Sequence, residues 1–118
     1  MRNVYEITLV LGAGMRTIIT FSIPVETGNE LVKSGKIGDV LGGITEDFAP
    51  EAAYFYIDDA GRRAGAFVVD LSDPLDLPKH VEALFFGLNA SVSTRPAFGL
   101  EDMANLGDAI GPVVQKYG

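Results

Sequence analysis

The sequence predicts an α+β fold in which a four-stranded antiparallel sheet carries helices on one face. Three observations predict it. Residues Ala53–Ile57 and Ala66–Leu71 are rich in aromatic and β-branched side chains and flank Asp58-Asp59-Ala60-Gly61, a run of turn formers ending in a glycine free to take positive φ. Two more period-2 segments, Thr17–Ile23 and Ala90–Arg95, lie on either side of this hairpin, and Pro24 and Pro96 stop them. Between strand and hairpin, and again between hairpin and last strand, apolar residues recur at helical spacing.

In chain order, Tyr5, Ile7, Leu9 and Leu11 alternate with Glu6, Thr8 and Val10, which predicts an extra N-terminal strand before Gly12-Ala13-Gly14. Met15-Arg16 also reads as a natural start, so residues 1–14 are expected either as an added strand or as an appendage or misassigned start. Thr17–Ile23 places Ile19, Phe21 and Ile23 on one face and Ile18, Thr20 and Ser22 on the other. Thr27 and Glu30 form a T-x-x-E capping box, and Ile37, Val40, Leu41, Ile44 and Phe48 supply the core stripe of the helix it starts. Gly35, Gly38 and Gly42 share another face of that helix, which marks either a break or a close approach by another backbone. Past the hairpin, Asp76 is the expected N-cap of a helix with Pro78 in its first turn and Leu77, Val81, Leu84, Phe85 and Leu88 facing inward, leaving Phe86 off the stripe. After Pro96, the residues Leu100, Met103, Leu106, Ile110 and Val114 predict a C-terminal helix, broken or kinked at Gly111-Pro112.

Composition narrows the chemistry. The 118 residues are 47% apolar and read as one domain, residues 1–118, able to bury about two-thirds of the surface of the unfolded chain. Without cysteine there is no disulfide or thiol chemistry, and with His80 as the single histidine the common zinc and haem ligand sets are excluded. An oxygen-only site for magnesium or calcium stays open; no metal or cofactor is expected. A net charge of −7 opposes phosphate backbones and anionic headgroups, so neither nucleic acid nor a membrane is an expected partner. The apolar run near the N-terminus is interrupted by Glu6 and Thr8 and is too short to span a bilayer, which predicts a cytoplasmic protein.

The order strand, helix, hairpin, helix, strand is the βαββαβ split unit of the ferredoxin-like fold, with one sheet face left uncovered. That face is expected to carry Ile18, Thr20 and Ser22, then Tyr54, Tyr56, Phe67 and Val69 from the hairpin, and Ser91, Ser93 and Arg95. It is too apolar for a solvated surface. Over about residues 15–103 the element order, the helix end Leu84-Phe85-Phe86-Gly87-Leu88, the short polar-alternating strand and Pro96 followed by Leu100-Glu101-Asp102 resemble the dimeric α+β-barrel proteins. That group includes muconolactone isomerases and small antibiotic-biosynthesis-type monooxygenases. The resemblance implies a homodimer or higher homo-oligomer in which two open sheets face each other and enclose a cavity in each subunit. It transfers no catalytic residue.

Gly12-Ala13-Gly14 is only a fragment of a dinucleotide fingerprint, and no nucleophile elbow, Walker loop or His-Glu-x-x-His helix is present. His80, near a helix N-terminus, reads as a surface residue, and Asp58-Asp59 as turn formers whose charge Arg62-Arg63 balances. The candidate ligand-binding set is Thr20, Ser22, Tyr54, Tyr56, Phe67 and Arg95. Hydroxyls, aromatic walls and one permanent cation suit a small aromatic or polyketide-like acid, with Arg95 pairing the carboxylate. Two readings follow. One is a small-molecule binder or cofactor-independent enzyme; the other is a non-catalytic oligomeric module whose open face serves only self-association.

Overall fold

A computed structural model describes residues 14–118, so the strand expected within residues 1–14 lies almost wholly outside the described residues. The elements are β1 (Met15–Ser22), α1 (Val25–Lys33), α2 (Ile37–Phe48), β2 (Ala52–Ile57), β3 (Arg63–Leu71), α3 (Asp76–Leu88), β4 (Ser91–Pro96), a 3₁₀ turn (Leu100–Asp102) and α4 (Met103–Tyr117). The fold is α+β. Its four strands form an open antiparallel sheet in the order β2-β3-β1-β4.

The expected first helix is two helices. Gly35 takes φ +72° after α1, a conformation that costs glycine no Cβ clash, and α2 begins two residues later. Thr27 is not the cap; Pro24 occupies that position, and the Thr27 hydroxyl instead accepts a hydrogen bond from Asn89 Nδ2 at 3.3 Å. Gly38 and Gly42 have open space where a Cβ would sit, so among the described residues the glycine face is not a site of close approach. The break satisfies the sequence pattern because the apolar stripe of α2, ending in buried Ile44 and Phe48, needs a different axis from that of α1.

The core lies between the helices and one sheet face. Ile19, Phe67, Leu84 and Leu88 are wholly buried there, with Phe21, Ile23, Ile44, Phe48 and Val69 around them. Phe67 is the hub of an aromatic cluster: its ring centroid lies 5.0 Å from Phe48, 5.6 Å from Phe21 and 6.0 Å from Phe55. Gly65 makes room for Phe21, since a Cβ there would come within 2.6 Å of that ring. The register pairs Ile19 with Phe67 and Thr17 with Val69, so Phe67 and Val69 face the helices, not the open side on which they were expected. The physical reason is parity. The strand runs from Arg63, and its alternation is set by pairing with Ile19 and Phe21, whose apolar side chains must enter the core.

Helix α3 follows its predicted stripe at Leu77, Val81, Leu84 and Leu88, but Phe85 is exposed, as is Phe86. Helix α4 runs through Pro112 without the break that was one of the two expectations there, and none of its residues is buried. The radius of gyration, 17.8 Å, exceeds the roughly 13 Å of a compact domain of this length, in keeping with a 15-residue helix projecting from the body. Among the described residues no helix is long and apolar enough to cross a membrane.

Candidate functional site

The open face is laid out by the strand register. Across the four strands, its rungs are Tyr56–Ala64–Ser22–Ser91, then Tyr54–Ala66–Thr20–Ser93, then Ala52–Val68–Ile18–Arg95. Each rung is about 14 Å wide and about 7 Å from the next. The first two share one profile: a tyrosine on the β2 edge, an alanine in the middle, and hydroxyl-bearing residues on β1 and β4. Alanines between taller neighbours make a low floor. The result is a concavity of about 270 Å³ lined by Thr20, Ser22, Tyr56, Asp58, Ala64, Ser91 and Ser93, with Phe21 and Val92 between them.

Asp58 enters the concavity through the hairpin turn. Its backbone N–H donates to the Arg62 carbonyl at 2.9 Å, and Gly61, at φ +76°, donates to the Asp58 carbonyl at 2.9 Å. Its carboxylate accepts three hydrogen bonds, from the Ala60 and Arg62 N–H groups at 3.0 Å each and from the Ser22 hydroxyl at 2.7 Å. The Arg62 N–H first, and then Ser22, hold the carboxyl below the usual carboxylate range. The upper end of the site is therefore a fixed anion surrounded by hydroxyls.

Arginines mark the other end. Arg16 is occupied: its guanidinium donates to Glu51 at 3.1 Å and to Glu101 at 2.8 Å, joining the start of β2 to the 3₁₀ turn and holding Glu101 below its ordinary pKa. Arg95, exposed on β4, has no hydrogen-bond or ion-pair partner among the described residues. It does not line the concavity. It stands two rungs from Ser91, about 13 Å along the strand.

Of the six residues expected to form a site, Thr20, Ser22 and Tyr56 are brought together. Tyr54 lies beside them on the second rung, Arg95 stands apart on the same face, and Phe67 is removed to the core. Asp58, Ser91 and Ser93 are the additions. The serines were legible from the alternation of β4, whereas the place of Asp58 depends on how the hairpin tip folds against Ser22. Arg63 does not balance the turn carboxylates; it faces the helix layer, where Nη1 donates to Asn29 Oδ1 at 3.1 Å and the side chain packs on buried Gly28. His80 is half-buried on α3 with its ring 4.0 Å from that of Phe48, and burial first of all pushes its pKa below the ordinary histidine value. It is remote from the open face. Among the described residues no group of three or more His, Asp or Glu is placed to hold a metal ion.

No family model, curated protein or solved structure matches this chain.

Proposed function

We propose that this chain is a small-molecule-binding protein whose ligand lies along the open sheet face, closed over by a second copy in the manner of the dimeric α+β-barrel proteins with a ferredoxin-like subunit. The observation that carries the reading is the concavity and the rung beside it: Ala64 at its floor, Tyr56 as a wall and hydroxyls opposite, with Ala66 and Tyr54 repeating the pattern on the next rung. Aromatic rings fit the alanine floor edge-on to Tyr54 and Tyr56, while Ser91, Ser93 and Thr20 supply donors and acceptors for ring substituents.

Charge sets the orientation. An acid cannot point its carboxylate at Asp58, so the anionic end must run toward Arg95. The two ends are about 13 Å apart, which favours an elongated, hydroxylated, polyketide-like acid over a single-ring one. A thermal-shift series tests this. A hydroxylated acid of three linearly fused rings should raise Tm, its amide and benzoate should do much less, and Arg95→Gln should abolish the difference between acid and amide. A saturating ligand at about 100 times its Kd stabilises by about 2.7 kcal/mol, a readily measured shift. If no compound in the series stabilises the protein, the alternative reading holds: the exposed Tyr54 and Tyr56 serve self-association alone.

A further inference from the structure

Helix α4 carries an apolar stripe that the other described residues do not cover. Met103, Leu106, Ile110, Val113 and Tyr117 are spaced by three, four, three and four residues, which is the heptad a/d alternation of a two-stranded helical seam. Val114 widens it. Met103, Ile110 and Val113 are each close to half exposed, Tyr117 is 75% exposed, and Leu106 alone of the α4 stripe is better covered. Pro112 falls at an outward-facing c position, where its missing N–H and its ring leave the seam intact.

We infer that α4 pairs antiparallel with α4 of a second copy of this chain. Charge and size decide the direction. In an antiparallel pair of a/d seams, Met103 packs on the partner's Val113 and Leu106 on the partner's Ile110, each layer occurring twice about the two-fold axis. The flanking g positions then set Asp102 against the partner's Lys116, two ion pairs per dimer. Lys116 has no acidic partner within its own chain among the described residues. At the two-fold axis Ala109 meets the partner's Ala109 on one flank and Gly107 meets the partner's Gly107 on the other, so the helices can approach closely. Leu100, which is 87% exposed on the preceding 3₁₀ turn, falls opposite the partner's Val114. A parallel pair would instead place Asp102 beside the partner's Gly107 and form no Asp102–Lys116 ion pair. The pairing rests on α4 and not on the open sheet face, so it stands or falls independently of ligand binding there.

The absence of cysteine makes the test clean. Sedimentation should give at least twice the 12.6 kDa chain mass, and Ile110→Glu should abolish the α4 contact with the circular dichroism and Tm of the body retained. Ala109→Cys should be joined into a covalent dimer by a short bis-maleimide. Tyr117→Cys should not, because in the antiparallel pair the two copies of that position are about 27 Å apart. Lys116→Glu should weaken association at low salt, and adding Asp102→Lys should restore it. Joining of Ala109→Cys that survives Ile110→Glu overturns the inference, as does an Ala109→Cys protein that is not joined at all. Efficient joining of Tyr117→Cys overturns the antiparallel direction.

Discussion

Ile18 and Ile19 are chemically identical neighbours on β1, yet Ile19 is wholly buried while Ile18 lies half-exposed on the open face. The same contrast holds on β3, where Phe67 is wholly buried and Val68 is not. The helix-covered face is a close-packed aromatic and aliphatic layer in which each ring is fixed by its neighbours. The open face has low alanines, exposed tyrosines and hydroxyls, and it carries the polar chemistry. The difference teaches that apolar content alone does not assign a face in this sheet. What assigns it is which side the helices can reach with Ile44, Phe48, Leu84 and Leu88.

The sharpest test of that contrast compares adjacent residues. Phe67→Ala should cost about 3–5 kcal/mol in urea unfolding, since it empties the centre of the ring cluster, whereas Val68→Ala should cost about 1 kcal/mol or less. Equal losses would mean that the open face is as tightly packed as the core. Gly65→Ala should come next, at about 1–3 kcal/mol, because the new methyl meets the Phe21 ring at 2.6 Å and the Tyr54 carbonyl at 2.8 Å. Gly42→Ala, with no atom within 4 Å of the new Cβ, should go the other way and stabilise by up to about 1 kcal/mol. A destabilised Gly42→Ala would show that a second molecule lies against α2.

The smallest effect is the pH response of the helix layer. Burial against Phe48 lowers the pKa of His80 from 6.5, with Asp76 and Asp47 opposing the shift and Lys79 adding to it. The folded state thus binds this proton less readily than the unfolded one. Its contribution to stability is complete above pH 6.5 and is lost as pH falls through the lower folded-state value. Asp58 and Glu101, whose folded pKa values lie below 3.8 and 4.5, lose theirs only in more acid solution. Tm measured from pH 8 down to pH 5 should therefore decline slightly in the native protein and less in His80→Gln. An identical decline in both would remove His80 as the cause.

Much of the fold was legible because it is written in local periodicity. The period-2 runs of β1 and β4, the turn at Asp58–Gly61, the stripe of α2 and most of that of α3 all came from spacing alone. The misreadings share one cause. Phe67 and Val69 were placed on the wrong face because the short window Ala66–Leu71 reads as apolar on both sides, and only pairing with β1 decides its parity. Thr27 looked like a cap because a T-x-x-E pattern carries no information about Pro24, where the backbone turns into α1.

Local sequence determined the elements, their order and the hydroxyl alternation of β1 and β4, since these depend on contacts within a few residues. Tertiary structure decided which face became the core, that Asp58 would join Ser22 in the concavity, that Arg95 would stand about 13 Å away from it, and that α4 would find no cover among the other described residues. The physical reason is range. A strand's two faces differ only through what packs on them, and those partners come from segments tens of residues away, whose positions no periodicity within the strand can encode.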